Sequence, residues 1–240
     1  MKTGIMQPYF VPYLGYWQLM NAVDKYVIYD DVNFIRKGWV NRNRILINGE
    51  AKYFRVPLAQ ESQNKKINEI EIATDTPFLD KNLRTIELAY KKAPYFEAVF
   101  PLIKQILIYE EKNLVLFILN SFRIICKYLD ITTELILSST LNKDNSLKGE
   151  QKILSICSLL DATEYYNAAG GQYLYSYRNF EERGICLKFL QAEAIAYKQF
   201  SGKFQANLSI IDVMMFNEKE KIKRFLQEFT LISKPEQNCR

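Results

Sequence analysis

IMQPYFVPYLGYWQLMNAVDKYVIYDDV, residues 5–32, is the stretch on which the fold turns. Residues 3–6 are a short apolar lead that reads as a first strand. From Gly15 to Val23 the spacing is helical, with Trp17, Met20 and Asn21 on one side and Leu19 and Val23 near it. Asp24 to Val32 is a compact β-branched and aromatic run bounded by aspartates, the pattern of a second strand. A strand, a Pro/Gly loop, a helix and a strand make a βαβ unit, and that unit implies a parallel sheet. The loop inside it, beginning at Gln7-Pro8-Tyr9, lies where open α/β sheets hold their ligands. Pro8 and Pro12 stiffen the loop and remove two N–H donors, and Gly15 permits close backbone approach or a tight helix start. Gln7 and Gln18 can read a base, an amide or a sugar hydroxyl, while Tyr9, Tyr13 and Tyr16 can stack or donate. The competing reading is an aromatic loop packed under helices.

Outward from this unit, RILINGEAKYFRVPL places two alternating runs around Asn48-Gly49, the pair favoured in two-residue hairpin turns. AQESQNKKINEIEI is a polar loop expected to return to a strand. Residues 78–130 are helical in pattern, punctuated by Pro94 and Pro101, and form an expected helical lobe. TTELILSS restores a strand pattern, and KGEQKILSICSLL is amphipathic, with Ile153, Leu154, Ile156, Cys157 and Leu160 on one face. ATEYYNAAGGQYLY reads as a strand entering a glycine loop and a short helix, and GICLKFL as a further strand opened by Gly184. NLSIIDVMMFNEKEKIKRFLQEF reads as two helices separated near Asn217, with Ser209 as N-cap of the first. The expectation is an α/β fold, a mostly parallel sheet flanked by helices, with a β-hairpin insertion. It spans residues 1–232 as a single domain with a helical lobe at about 78–130, followed by a flexible tail, SKPEQNCR, at 233–240.

Composition narrows the function. The 240 residues are 48% hydrophobic, ample for a core, and carry a net charge of +5 with both signs interleaved. That balance suits a phosphorylated or acidic small ligand better than the concentrated basic stripe of a nucleic-acid binder. The chain has no histidine, which excludes His-dependent Ser and Cys triads and the common His-containing zinc sites. A general base must then be Asp, Glu, Lys, Tyr or the substrate's own amine. Cys126, Cys157 and Cys186 sit among apolar neighbours and, like Cys239, form no C-x-x-C pair, so they read as reduced core residues. No signal peptide is expected, and VLFILNSFRIIC is shorter than the ~20 residues that span a bilayer. The expected location is the cytoplasm, without membrane insertion.

Three further clusters carry candidate chemistry. Asp30 and Asp31 end the second strand, where alternation sends only one of them toward a site; it could hold Mg²⁺, accept from a sugar or act as the base. RKGWVNRNR groups Arg36, Lys37, Arg42 and Arg44 with Gly38, Trp39, Asn41 and Asn43 on an expected loop. Arginine forks match phosphates and Trp39 can stack on a planar ring. Gly170-Gly171 precede a short helix, which suits an anion or simply a tight turn. Asp212, on an otherwise apolar helix face, needs a partner, for which a loop arginine is the plain choice.

Taken together, IMQPYFVPYLGYWQLMNAVD, YDDVNFIRKGWVNRNRI, KKAPYFEAVFPL, KGEQKILSIC, YYNAAGGQYLY and NLSIIDVMMFN resemble the WbqC-like family, in order over residues 1–232. The sequence departs from that pattern at Ala168 and Asp161, where proline and glycine would be expected. The resemblance marks Gln7, Pro8, Tyr9, Pro12, Gly15, Tyr16, Asp30, Asp31, Gly38, Trp39, Asn41, Arg42 and Asn43, then Gly170, Gly171 and Asp212. It implies bacterial surface-polysaccharide (O-antigen) biosynthesis, beside nucleotide-linked amino sugars. The expected activity is transfer of an acyl or aminoacyl group to the amine of such a sugar. The alternative is a non-catalytic nucleotide-sugar-binding or scaffold protein of the same pathway. Asp30 and Asp31 are then the catalytic candidates. The substrate-binding candidates are Gln7, Tyr9, Tyr13, Gly15, Tyr16, Gln18, Lys37, Trp39, Asn41, Arg42, Asn43, Gly170 and Gly171. No metal ligand set is assigned. The cofactor stays open between ATP/Mg and an acyl donor or carrier, and nucleic acid is not an expected partner. The start is also similar to the nucleotidyltransferase-like α/β fold of pantothenate synthetases, but Tyr13 and Tyr16 stand where histidines would be wanted.

Overall fold

The computed structural model describes residues 1–73, 77–200 and 202–234. Strand β1 (Lys2–Met6), helix α1 (Leu14–Asn21) and strand β2 (Lys25–Ile28) form the expected βαβ unit, with β1 and β2 parallel in the register Gly4 to Tyr26. Alternation sorts their side chains. Ile5 and Val27 join one core, beneath α5 (Gly149–Leu159), while Tyr26 and Ile28 join a second, larger core shared with α1. This two-faced burial is what a parallel sheet covered on both sides requires.

The hairpin forms as its turn dictates. Strands β3 (Arg42–Ile47) and β4 (Glu50–Arg55) pair antiparallel around Asn48 (φ 52°) and Gly49 (φ 79°), and both turn residues occupy the left-handed region that the tight turn needs. It is a separate two-stranded sheet. Because β3 begins at Arg42, Arg42, Asn43 and Arg44 lie on a strand rather than on the loop the sequence suggested. AQESQNKKINEIEI does not return to a strand either: a 3₁₀ turn at Ile67–Glu69 and the isolated bridges Leu58 to Ile72 and Glu71 to Asn113 take its place.

The helical pattern resolves into α2 (Phe78–Tyr90), α3 (Phe96–Leu107) and α4 (Leu114–Leu129). Asn113 caps α4 by accepting from the Val115 and Leu116 N–H groups, satisfying donors that the helix leaves open. Strand β5 (Glu134–Leu137) follows, then α5, β6 (Glu164–Ala168), α6 (Tyr177–Glu181) and β7 (Cys186–Ala192). Helices α7 (Ile210–Phe216) and α8 (Lys219–Phe225) are separated at Asn217, and Ser209 Oγ caps α7 by accepting from Ile211. A last strand, β8 (Phe229–Ile232), runs antiparallel to β7, an edge the sequence reading did not include.

The main sheet has the order β5-β2-β1-β6-β7-β8. The chain builds outward from β1 through β2 to β5, then returns to place β6 on the other side of β1, parallel to it. Loops leaving β1 and β6 therefore diverge, which makes the carboxyl ends of these strands a topological switch point. Among the described residues no helix is long and apolar enough to cross a membrane. Cys126 and Cys157 are buried, but Cys186 is exposed and not a core residue, because it begins β7 on a solvent-facing position. Cys239 and most of the tail (235–240) lie outside the described residues.

Candidate functional site

The loop from Gln7 to Tyr13 is held carbonyl by carbonyl. Tyr16 donates its hydroxyl to Gln7 O (2.9 Å), Asn43 Nδ2 donates to Phe10 O and Val11 O (both 3.0 Å), and Ser209 Oγ donates to Val11 O (2.7 Å). Pro12 O accepts from the Trp17 indole (3.0 Å) and the Ile210 N–H (2.9 Å). Val11, buried and β-branched, sits at φ 38°. Such a backbone costs about 1–3 kcal/mol and persists only where its surroundings over-determine it, and Asn43 and Ser209 supply that constraint. Both readings of this loop hold, for different residues. Phe10, Tyr16 and Trp17 are fully buried and pack on Phe54, Phe117 and Phe122, whereas Gln7 and Tyr9 are half-buried and Tyr13 is exposed.

Tyr9, Pro12 and Tyr13 line a cleft of about 340 Å³ together with Trp39, Asn43, Arg44 and Asn207. The opening loop and the hairpin base thus share one site. Phe10 N donates to Val40 O (3.1 Å), which fixes the two segments edge to edge. The Arg44 guanidinium lies over the Trp39 ring at 5.6 Å and donates through Nη2 to Asn207 O (3.2 Å). Its Nε is buried with no hydrogen-bond partner among the described residues. Desolvation by the surrounding cleft walls pushes the Tyr9 phenol up, and that of Tyr13 too although its ring edge reaches solvent, so both remain protonated donors at neutral pH.

Tyr13 and Asn207 also line a second cleft of about 550 Å³, between the start of α1, the end of β7 and the segments 193–197 and 204–208. Gly15 sets how the Tyr13 ring lies at this junction: a Cβ there would stand 2.6 Å from Cε2 of the ring and displace it. Gln18, 1% exposed, lines the same cleft. Its Nε2 donates to Phe225 O (2.8 Å) and Glu228 O (2.9 Å), and its Oε1 has no partner among the described residues.

The other candidates lie elsewhere. Arg42 is turned onto its own segment, donating to Gly38 O (2.9 Å) and Lys37 O and lying over the Tyr53 ring at 4.6 Å. Asn41 donates to Val56 O (2.9 Å), and Lys37 is exposed at φ 58°. Gly170 and Gly171 fall inside a 3₁₀ turn at Ala169–Leu174, and neither needs a positive φ. A Cβ on Gly171 would meet Asn167 Oδ1 at 2.9 Å, so close approach to that buried amide accounts for the glycine.

Asp30 and Asp31 line neither cleft. Asp30 accepts from Ser139 N (2.9 Å) and Ser139 Oγ (2.6 Å); burial raises its affinity for a proton, and these two donors oppose that. Asp31 accepts from Ser138 Oγ (2.8 Å) and is paired through Oδ2 with Lys143 and Lys152, both at 2.9 Å. Burial alone would push its carboxyl up, but the two ammoniums and the hydroxyl hold it below the ordinary carboxylate range. Lys152 also donates to Asp31 O (3.1 Å) and lies 5.1 Å from the Tyr29 ring centroid. The sequence reading missed both lysines. Lys152 carried a legible signal, since it intrudes on the buried face of α5 beside Ile153 and Ile156.

Asp212 has no arginine partner among the described residues. It accepts from Tyr90 Oη (2.8 Å), Tyr197 Oη (2.7 Å) and Gln199 Nε2 (2.8 Å), and burial raises its proton affinity. Tyr90 in turn accepts from the Leu46 N–H (2.8 Å).

A family model described as the WbqC-like protein family matches residues 7–224. The chain belongs to that family. The match contains the opening loop, the hairpin, the segment 193–208 and α7, so every wall of the two clefts falls within WbqC-like sequence. The chain is also similar to an uncharacterized protein of Mycobacterium tuberculosis, 29% identical over 220 residues that cover 90% of this chain and 93% of the relative. No solved structure matches significantly.

Proposed function

We propose that this WbqC-like protein is a transferase of bacterial surface-polysaccharide (O-antigen) biosynthesis that forms an amide on the amine of a nucleotide-linked amino sugar. The observation that carries the reading is the Trp39–Arg44 pair in the cleft shared with Tyr9 and Tyr13, with the Arg44 Nε still unused. A guanidinium beside an indole suits a diphosphate next to a base, and two neutral phenols suit sugar hydroxyls. In the reaction the sugar amine attacks the carbonyl carbon of an activated acyl or aminoacyl donor. The C–N bond forms, the bond from that carbonyl to the leaving group breaks, and the amine's proton passes to the departing group. Asp30 and Asp31, anchored to Ser138, Ser139, Lys143 and Lys152, fit the role of positioning the loops after β2 and β5.

One observation favours a second reading, a non-catalytic nucleotide-sugar-binding or scaffold protein of the same pathway. Both carboxylates are engaged, and the chain offers no histidine to replace them as a base. Mass spectrometry separates the two. A panel of UDP- and dTDP-linked amino sugars, incubated with acyl donors with and without ATP/Mg, gains the mass of the acyl group less one hydrogen if the protein is a transferase. Binding without any mass change selects the scaffold. Failure of every nucleotide sugar to raise the melting temperature, with Arg44→Ala indistinguishable from wild type, overturns both.

A further inference from the structure

The larger cleft differs chemically from its neighbour. Arg44 lines the smaller one, but none of the described side chains lining the larger one is basic. Its walls come from Leu14, Ala192, Ile195, Ala206, Leu208 and Val213, and Glu193 is the charged residue among them. A phosphate there would meet no cation and a nearby carboxylate, which excludes a second anionic subsite on electrostatic grounds. An apolar cleft with a few fixed polar atoms is suited to an uncharged organic group.

Gln18 makes the requirement sharper. Its amide cannot flip, because Nε2 is committed to the carbonyls of Phe225 and Glu228. Oε1 is then an acceptor at a fixed position, buried and without a partner among the described residues. A buried polar atom left in that state has lost its hydration without compensation, and a ligand that supplies an N–H or O–H recovers it.

We infer that the larger cleft is the donor subsite, holding a short acyl chain whose N–H or O–H donates to Gln18 Oε1. This rests on the transferase reading above and deepens it. Tyr13 and Asn207 line both clefts, so a nucleotide sugar held at Arg44 and an acyl chain held at Gln18 meet across that pair. With a thioester donor, the sugar amine displaces the thiolate: C–N forms, C–S breaks, and the amine proton leaves with the thiol.

The test uses 3-hydroxybutyryl-pantetheine and butyryl-pantetheine as hydrolysis-resistant ketone analogues, in which a CH₂ replaces the thioester sulfur and adds no donor, titrated calorimetrically into the intact protein with UDP-linked amino sugar as the second ligand. The hydroxylated analogue should bind about tenfold more tightly, the equivalent of one recovered hydrogen bond. Ala194→Trp, at an exposed position that lines the larger cleft alone, should abolish acyl binding while the nucleotide sugar still binds. Gln18→Met should erase the preference for the hydroxyl. Because that change also removes two hydrogen bonds, the wild-type comparison of the two analogues carries the test if the variant fails to fold. Equal affinity for the two analogues, or acyl binding unaffected by Ala194→Trp, overturns the inference. Loss of nucleotide-sugar binding alone would overturn the transferase reading and leave the acyl subsite standing.

Discussion

Replacing Asp31 by asparagine tests whether this carboxylate is a structural counter-ion or a free catalytic group. The side chains of Asp31, Lys143 and Lys152 are 4%, 1% and 6% exposed, and the carboxylate receives both ammoniums at 2.9 Å. Asparagine keeps the shape and removes the charge, leaving two buried ammoniums facing each other across a neutral amide. Breaking a buried ion pair by removing one partner costs about 3–5 kcal/mol. At ~2–4 °C per kcal/mol for a chain of this size, the melting temperature should fall by roughly 6–20 °C. Urea denaturation gives the free energy and calorimetry the temperature. The acid limb supplies an independent check. A carboxyl held below its unfolded value contributes stability that is present above the unfolded pKa and lost as pH falls through the folded one. Wild type should therefore lose stability over that acid window, and the asparagine variant should show a flatter slope there. The combination Asp31→Leu, Lys143→Met and Lys152→Met removes every charge of the cluster and should recover most of the loss, since apolar replacement of a buried ion cluster is near neutral. A loss under about 1 kcal/mol for Asp31→Asn, the value of an exposed pair, would refute the reasoning and return the carboxylate to the list of catalytic groups.

Asp212→Ala strands Tyr90, Tyr197 and Gln199 without their acceptor and should cost about 3–5 kcal/mol in urea denaturation. Asp212→Asn should cost less. Its penalty should also shrink as pH rises from the ordinary carboxylate range through the raised folded value, because wild type loses stability across that window. Gly15→Ala should leave the melting temperature within a few degrees yet weaken ligand binding, because the methyl displaces the exposed Tyr13 ring rather than backbone. In a Cys239→Ser background, a thiol reagent should modify Cys186 in the folded protein. Cys126 and Cys157, buried with thiols pushed up to about 12, should react only on unfolding.

What was legible in the sequence was local. The βαβ unit, the Asn48-Gly49 hairpin, the Ser209 cap and the break at Asn217 each rest on a few neighbouring residues whose backbone preferences agree. Strand β8 escaped because FTLI is four residues long and lies at an exposed edge, so it has too little alternation to register. The large cleft escaped for a different reason. Its wall at 193–197 is AlaIleAla-rich sequence with no helical or strand period, and it becomes a surface only where Tyr197 and Gln199 are tied to Asp212. The basic run misled because charge was read without direction: Arg42 turns back onto Gly38 and Lys37, while Arg44, two residues on along the same strand, faces the cleft.

The start of α7 is where these separate pieces are joined. Ser209 donates through Oγ to the strained Val11 and through its N–H to Arg44 O (2.8 Å), and Ile210 donates to Pro12 O (2.9 Å). One turn on, Asp212 holds Tyr197 and Gln199 of the cleft wall, and through Tyr90 it reaches the Leu46 N–H of the hairpin. The floor of both clefts, the arginine-bearing strand and the 193–197 wall are thus all referenced to one short helix. Such convergence fixes the distance between the Arg44 and Gln18 ends. Under the proposed transferase reading, that convergence suits a site whose contribution is to align two bound reactants, since well-oriented reactants can supply about 7–11 kcal/mol of a barrier by alignment alone. For a chain without histidine, joining an amine to an activated acyl group by alignment is the chemistry that asks least of its side chains.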